Sequence, residues 1–398
     1  MPTALLKPEI RDFIDRHERE DVRELALKKM PDDWPRAAIL NQIKSRQKAG
    51  VKIPSWLTAH KDIILPVPDL IEQASSDATA RYKASLFQGE RFFDLTGGVG
   101  VDCAAFAKRF NHVTCVENNS EAAALLLHNL PLVTGREIHC LESETRTALE
   151  NIKDPIDLIY IDPQRRNDAR KGLKYFEECS PNILDLLPLL LEKSSNILIK
   201  TSPMLDIQQA LAQLPQTRTV YVVEWRKECR EVLYHLTRET DDTEVTIKAV
   251  SLQNDGTSLH EHSFTRTEEA QTDVQIELPQ TYLYEPGPAF MKAGCYKILA
   301  KTYGLQKLHQ HTHLYTSDSF VPDFPGKSFE ILGTYPVRKN ALPISKTNLA
   351  VRNFPDDVQT LYKRLNLKAG GDDMVFACTY FEEQKILIHA QFLRSTDS

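Results

Sequence analysis

The stretch FFDLTGGVGVD at residues 92–102 constrains the fold most strongly, because it holds three of only 15 glycines in a chain of 398 residues. A hydrophobic run that ends in an acid precedes the glycines, and an apolar helical pattern follows them. Glycine lets the backbone turn tightly and approach a ligand closely. The stretch therefore predicts a strand, a glycine turn and a helix, with a ligand bound at the turn.

From about residue 90 to 240 the sequence alternates short hydrophobic strand patterns with helical patterns. This alternation is typical of a doubly wound, mostly parallel sheet. The runs TVYVVEW and REVLYHLTR follow one another closely and predict an antiparallel hairpin. We therefore expect an α/β, Rossmann-like fold in this part of the chain.

Pattern and composition divide the chain into four predicted parts. Residues 1–85 form a helical domain, 86–274 the domain around the glycine turn, 275–319 a connecting helical or ferredoxin-like segment, and 320–398 a small α+β domain. The net charge is −6, but 86–274 alone holds 20 Lys and Arg against 30 Asp and Glu. The flanking parts are slightly basic, which is compatible with RNA contact without requiring it.

The sequence favours a cytoplasmic protein that neither crosses a membrane nor binds a metal. No apolar run approaches the roughly 18 residues that a membrane helix needs, and the N-terminus lacks the pattern of a signal peptide. The seven cysteines form no CxxC pair, which argues against a disulfide framework or a cysteine zinc site.

The glycine turn does not match a dinucleotide loop. That loop has the pattern G-x-G-x-x-G, so Gly98 and Gly100 would require a glycine at position 103, where Cys103 stands. The turn does have an acid, Asp94, four residues before Gly98. Its carboxylate is suited to the ammonium group of a zwitterionic ligand, bound directly or through water.

Further acids stand where later strands are predicted to end. Glu117 closes the second strand, about 20 residues after Asp94, where an acid accepts hydrogen bonds from ribose hydroxyls. Glu142 follows the third strand and would face an adenine amine. Asp162 follows the fourth, and Pro163 stiffens the turn after it.

The set Asp94-Leu95-Thr96-Gly97-Gly98-Val99-Gly100, Glu117 and Asp162-Pro163 resembles that of class I methyltransferases dependent on S-adenosylmethionine (SAM). The resemblance covers residues 88–240 and implies SAM as the cofactor. The positions that we expect to contact it are Asp94, Thr96, Gly97, Gly98, Gly100, Asp102, Glu117, Asn118, Glu142 and Asp162.

The whole chain, with SSDATARYKA, DPQRR, YEPGPAFMKAG and GTYPVRKN, resembles a bacterial family in which such a domain is followed by a THUMP-like C-terminal domain. Related THUMP modules occur in enzymes that modify RNA. The resemblance therefore implies RNA as a partner, although function resides in sites rather than folds.

The residues after the fourth strand are expected to face the methyl acceptor. The sequence Asp162-Pro163-Gln164-Arg165 lacks the second proline and the aromatic residue common in enzymes that methylate base amines. Methylation of uracil carbon would need a nucleophilic cysteine, and Cys179 is better interpreted as a core residue of a helix. We therefore predict that Asp162 orients or deprotonates the acceptor, with Pro163 and Arg165 as the other catalytic positions.

Four positions are predicted to contact the substrate. Arg165 and Arg166 could bind a phosphate or carboxylate, or could pair with nearby glutamates. Lys200 ends the fifth strand and is either an acceptor contact or an ordinary strand-end lysine. Tyr82, in the segment before the first strand, could cover the cofactor from outside.

These features lead to three hypotheses. The first is a SAM-dependent methyltransferase that acts on RNA, either tRNA or rRNA. The second is a methyltransferase for a small molecule or a protein. The third is an RNA-binding protein that keeps a SAM-type fold without activity.

Overall fold

The computed structural model describes residues 3–165, 176–239 and 243–393. The predicted substrate position Arg166 lies outside the described residues. The chain forms two compact units. The first consists of Met1–Trp225, Arg230–Glu244 and Leu252–Leu259, and the second of Arg226–Cys229, Val245–Ser251 and His260–Ser398.

The first unit begins with a layer of helices, as the sequence predicted. After a 3-10 helix at Thr3–Leu6, these helices are α1 (Pro8–His17), α2 (Val22–Leu25), α3 (Arg36–Lys52), α4 (Pro54–Ala59), α5 (Pro68–Gln73) and α6 (Asp77–Ser85). The apolar faces of α1, α2 and α3 meet in a core that includes Ile10, Leu25 and Ile39. Burial of these faces, rather than helix propensity, stabilises such short helices.

Two basic residues near the end of α3 are paired with acids within this unit. Arg46 lies 2.5 Å from a carboxylate oxygen of Asp15, and Lys48 lies 2.5 Å from one of Glu72. The positive charge of these two side chains is therefore compensated by neighbouring acids.

The strands of the middle region are β1 (Gly89–Asp94), β2 (Phe110–Glu117), β3 (His139–Glu142), β4 (Leu158–Ile161), β5 (Gln164–Arg165), β6 (Cys179–Ser180), β7 (Asn196–Thr201), β8 (Thr217–Trp225) and β9 (Glu228–Thr237). Seven of them follow the order β3-β2-β1-β4-β7-β9-β8 in one sheet. The pairs from β3 to β7 are parallel, and β9 is antiparallel to β7. The predicted mostly parallel sheet is confirmed.

The predicted hairpin between β8 and β9 is also present. Its two turn residues, Arg226 and Lys227, have φ angles of 53° and 61°. Two left-handed residues give a turn whose twist matches that of the strands, although glycine or asparagine is commoner there.

The helices of this region are α7 (Val101–Phe106), α8 (Ser120–Thr134), α9 (Thr145–Glu150), α10 (Ile183–Lys193) and α11 (Ile207–Gln213). The prediction that Cys179 lies in a helix is wrong, because α10 begins only at Ile183. Pro181 and the capping side chain of Asn182, which accepts hydrogen bonds from two backbone N–H groups of α10, set that start. Cys179 is buried, and it pairs with Arg165 in a short ladder.

The remaining elements are β10 (Thr246–Leu252), β11 (Ser258–Phe264), α12 (Arg266–Gln271), β12 (Tyr282–Pro286), α13 (Pro288–Ala293), α14 (Lys297–Thr302), β13 (Gln306–His309), β14 (Thr312–Ser317), β15 (Gly326–Tyr335), β16 (Lys346–Arg352), α15 (Val358–Leu365), β17 (Lys368–Tyr380) and β18 (Gln384–Leu393). In the second unit a sheet has the order β13-β14-β12-β15-β18-β17-β16. The predicted C-terminal α+β domain is thus confirmed.

Helix α15 joins the parallel strands β16 and β17 and covers one face of this sheet. Its buried Leu361 and Leu365 pack with Leu349, Val375 and Leu387. Among the residues that the structure describes, no helix is long and apolar enough to cross a membrane.

Candidate cofactor pocket

A pocket of about 380 Å³ opens at the carboxyl ends of β1, β2 and β4. The strand order reverses between β1 and β4, which is where sheets of this kind bind ligands. Its volume is in the range of small-ligand sites. Its walls are formed by the glycine turn at 95–102, the end of β2, the start of α9, the segment 180–186 and the segment 70–75.

The glycines of the turn serve different purposes. The N–H of Gly97 donates to the carbonyl of Val116 at 2.8 Å, and a Cβ there would lie 2.6 Å from the sulfur of Cys115. Gly98 and Gly100 have φ angles of 54° and 91°, which favour glycine. Within the described chain, a Cβ on Gly98 would meet only the carbonyl of Thr96, at 3.7 Å, so it would stand in the pocket.

Glu117 is held at the pocket wall by two backbone groups. Its Oε2 accepts a hydrogen bond from the N–H of Gly98 and its Oε1 accepts one from Asn119, both at 2.9 Å. The neighbouring Asn118 is exposed and also lines the pocket. The glycine turn therefore orients the carboxylate that follows β2.

Asp94 lies beneath the turn rather than in the pocket lining. Its side chain is almost fully buried and accepts a hydrogen bond from the N–H of Thr96 at 3.0 Å. Burial raises the pKa of this carboxyl to about 8, and the neighbouring acids Asp102 and Asp162 add to the effect. Asp94 therefore shapes the turn from below.

The buried thiols of Cys103 and Cys115 lie beside Asp94, with the three ligand atoms within 4.8 Å of one another. Metal binding would require thiolates. The hydrogen bond that Cys115 donates to Cys103, together with burial, raises the pKa of Cys115 well above its usual value. The pKa of Cys103 is raised as well, so both pKa shifts favour the neutral thiols, and Cys115 lies directly under Gly97.

A buried ion-pair network lies behind the turn. The ammonium of Lys83, which has no exposed surface, lies 3.0 Å from Asp102 Oδ1 and donates to Glu231 Oε2 at 2.9 Å. It also donates to the hydroxyl of Ser75 at 2.8 Å. The hydroxyls of Ser75 and Tyr160 in turn donate to Asp102 Oδ2 at 2.7 and 2.9 Å.

This network sets the charge of Asp102, which lines the pocket. Burial alone would raise the pKa of Asp102, but the charges of Lys83 and Lys200 and the hydrogen bond from Ser75 outweigh it and lower this pKa. Sequence reasoning missed Ser75 and Glu231. Lys83 and Glu231 are 148 residues apart, and no local motif connects them.

Asp162 and Lys200 meet at the pocket edge. The backbone N–H of Asp162 donates to the hydroxyl of Thr96 at 2.7 Å, which joins the ends of β1 and β4. The ammonium of Lys200 lies 2.5 Å from Asp162 Oδ2. Burial would lower the pKa of Lys200, but the neighbouring carboxylates, Asp162 first, raise it, so this group stays charged.

Some predicted site residues lie elsewhere. Tyr82 is buried and packs edge-on against Tyr221, and Glu142 is exposed at the end of β3. Neither lines the pocket, and neither does Pro163. Residues 144–146 line the pocket on the side where Glu142 was expected, because the chain turns into α9 after β3.

Family models match three parts of the chain. Residues 58–219 match "Conserved hypothetical protein 95", residues 282–325 match a ferredoxin-like domain, and residues 326–391 match a model described as THUMP domain-like. The last match corresponds to the sheet strands β15 to β18 with α15. No curated protein matches the chain in sequence.

One solved structure is similar over nearly the whole chain. It is described as a "putative methyltransferase" from Porphyromonas gingivalis W83, is 27% identical, and superposes with a TM-score of 0.82 over 97% of this chain and 98% of that chain. The chain has a class I methyltransferase fold with a THUMP-like C-terminal domain. The pocket lies in the methyltransferase fold, and the THUMP-like domain follows this fold in the sequence.

Other solved structures match only parts of the chain. An rRNA methylase from Streptococcus thermophilus is 13% identical over 40% of this chain and 94% of its own, with a TM-score of 0.30. TrmK of M. capricolum, in complex with S-adenosyl-homocysteine, is 14% identical over 42% of this chain and 70% of its own, with a TM-score of 0.32.

Proposed function

We propose that this protein transfers a methyl group from SAM to RNA. The observation that carries the proposal is the pocket at the strand ends, with a glycine turn on one side and a backbone-held carboxylate, Glu117, beside it. This arrangement combines the two features that a nucleoside with a charged amino-acid tail requires. The methyltransferase fold around it makes SAM the ligand that suits it best.

The pocket residues fit SAM in shape. Gly98 offers open space where any side chain would intrude, so the methionine part of SAM can lie against the turn. Glu117 would accept hydrogen bonds from the ribose hydroxyls. Thr96, Gly97, Gly100, Asp102 and Asn118 also line the pocket and complete the proposed cofactor contacts.

The pocket also fits SAM in charge. SAM carries a sulfonium and an ammonium against a single carboxylate, so it is a net cation. The carboxylates of Asp102, Glu117 and Asp162 line the pocket, together with Glu144 and Asp185. Arg146 also lines the pocket, and its guanidinium lies 4.0 Å from Glu150; we expect it to meet the carboxylate of SAM. An acidic pocket with low-dielectric walls attracts a cationic ligand.

Asp162 is the residue best placed to act on the acceptor. Its Oδ2 is paired with Lys200, and its Oδ1 has no hydrogen-bond partner among the described residues. We infer that Oδ1 accepts a hydrogen bond from the acceptor group and aligns it with the methyl carbon. Asp162 would also remove a proton where the acceptor group loses one on methylation.

RNA is the proposed acceptor because a THUMP-like domain follows the methyltransferase fold. Related THUMP modules occur in enzymes that modify RNA. Arg165 and Arg166, three and four residues after the strand-end acid, remain proposed contacts to the phosphates of RNA. Tyr82 and Glu142 are not proposed as contacts, since they do not line the pocket.

The test uses SAM with a labelled methyl group. The full-length protein is incubated with the RNA, protein and metabolite fractions of cells that lack it, and the label is followed. We expect label in RNA, and nucleoside mass spectrometry would then identify the methylated atom.

Label only in the protein or metabolite fraction would replace RNA by another acceptor class and leave SAM dependence intact. SAM binding without label in any fraction would contradict catalysis. It would favour the third hypothesis, an RNA-binding protein with an inactive fold.

A further inference from the structure

Positive charge is concentrated around the end of α15 in the THUMP-like domain. Residues 336–373 contain seven Lys and Arg against four Asp, in a chain with a net charge of −6. Three of these four acids are already engaged. Asp356 pairs with Arg364 at 2.5 Å, and Asp357 accepts a hydrogen bond from the N–H of Thr360 at the start of α15.

The topology brings most of these cations to one end of the sheet. Strands β16 and β17 are parallel and α15 connects them, so both strand starts and the end of α15 lie at the same end. Lys346 and Lys368 are paired in register, and Lys363 is in the last turn of α15. The N–H of Lys368 donates to the carbonyl of Ser345 at 2.8 Å.

The loop that precedes β16 adds two further cations. A guanidinium N–H of Arg364 donates to the carbonyl of Val337 at 3.3 Å, which holds this loop against the end of α15. Arg338 and Lys339 follow directly. We call the following five residues the basic end: Arg338, Lys339, Lys346, Lys363 and Lys368.

All five cations of the basic end are exposed, and none forms an ion pair among the described residues. Arg46 and Lys48, near the end of α3, behave differently, because both are paired with acids. Because no acid among the described residues pairs with these exposed cations, they are available to an external anion. Five of them on a loop, two strands and a helix offer contacts to several phosphates rather than one.

We propose that the basic end binds the phosphate backbone of the RNA acceptor. The proposal rests on the proposed function, for which it supplies the surface that holds RNA. Contacts of lysine and arginine with phosphates set position without reading sequence. The basic end therefore contributes affinity, and the methyltransferase pocket selects the atom that is methylated.

The test compares two triple variants of the full-length protein. Lys346→Ala, Lys363→Ala and Lys368→Ala remove three cations from the basic end. Lys108→Ala, Lys153→Ala and Lys301→Ala are the matched control, because these lysines are also exposed and unpaired among the described residues. Filter binding with labelled total tRNA and rRNA from cells that lack the protein is measured over a salt series.

We expect the basic-end variant to lose RNA affinity by at least about tenfold at moderate salt, and the slope of log affinity against log salt to fall by about 3. The control variant should keep the wild-type slope, and all three proteins should bind SAM equally. The KM for RNA in methyl transfer should rise in the basic-end variant with little change in kcat.

Equal RNA binding by the wild type and the basic-end variant would overturn the proposal, as would an equal loss in the control variant. Loss of binding to phosphatidylglycerol vesicles with RNA binding intact would assign the basic end to a membrane instead. Methylation of RNA with an unchanged KM would overturn this proposal and leave the proposed function standing. If the basic end bound RNA but no methyl transfer occurred, the basic end would stand as an RNA-binding surface and the proposed function would be contradicted.

Discussion

The cofactor pocket and the basic end both concentrate charge, but they hold it in opposite ways. Behind the pocket, Lys83 is fully buried and contacts Ser75, Asp102 and Glu231. At the basic end, lysines such as Lys346 and Lys368 stand in solvent without ion pairs among the described residues. The first arrangement fixes each charge in one place, and the second leaves it free to move.

The difference follows from desolvation. A buried charge is tolerated only when partners replace its water, so the loss of one partner is costly. An exposed charge loses little when a partner is absent and is screened by salt. A buried network is therefore suited to orienting a small cofactor, whereas an exposed cluster is suited to a long polyanion.

The largest effect is expected from a charge at the pocket edge. Asp162→Asn should lower kcat for methyl transfer by about 10²–10⁴-fold, since an amide neither takes a proton nor carries the charge that pairs with Lys200. Single-turnover rates and SAM affinity by calorimetry would check this. The control is Asp154→Asn, because Asp154 is an exposed carboxylate that pairs with Arg91. If SAM affinity fell by the same factor as the rate, the role of Asp162 would be to bind the cofactor rather than to act on the acceptor.

Removal of the buried ammonium should destabilise the fold. Lys83→Met leaves Asp102 and Glu231 buried without their cation, which costs about 3–5 kcal/mol of unfolding free energy. Urea denaturation would measure it. Lys368→Met, at the exposed basic end, should change this free energy by less than about 0.5 kcal/mol.

A double variant separates loss of charge from loss of packing. Lys83→Met with Glu231→Gln should recover part of the stability, because one uncompensated carboxylate is removed. If Lys83→Met were as stable as the wild type, the contrast between buried and exposed charge would fail.

The third effect concerns shape rather than charge. Gly98→Val should weaken SAM binding by about 100-fold, because overfilling a packed site costs up to about 3 kcal/mol. Gly135→Val is a matched control, since Gly135 also has a positive φ but no atom within 4 Å of an added Cβ. It should strain the backbone equally and leave SAM binding intact. Equal SAM affinity in the Gly98 variant and the wild type would show that the glycine turn does not contact the cofactor.

The fourth effect is a pH dependence of stability, which is the smallest of the four for a change of one pH unit. The folded-state pKa of Asp94 is raised from 3.8 to about 8 by burial, so the folded protein holds this proton more tightly than the unfolded chain. That contribution is complete below pH ~4 and is lost as the pH rises through about 8. The wild type should lose stability relative to Asp94→Asn by up to ~1.4 kcal/mol per pH unit within this window.

Denaturation of both proteins at several pH values would show the loss, with the exposed Asp33→Asn as control. A constant difference between wild type and Asp94→Asn across the window would mean that Asp94 keeps its charge in the folded protein.

Local patterns accounted for the glycine turn, the strand-helix alternation and the acids at strand ends. These depend on residues close together in sequence, and Glu117 lies beside the turn because β1 and β2 are adjacent parallel strands. Glu142 follows the same logic but misses the pocket, because the chain continues into α9 and brings 144–146 there instead. A strand-end position alone does not show which side chain reaches the ligand.

The order of residues along the chain was thus sufficient to predict the type of fold and the edge of the sheet at which the pocket lies. Periodicity and glycine stereochemistry act over a few residues, so they can be read from the chain itself. The partners of Lys83, the pairing of Lys200 with Asp162 and the absence of ion pairs at the basic end among the described residues were accessible only from the folded chain. They depend on desolvation and on distances between residues far apart in sequence, and both arise only when the sheet and its helices have packed.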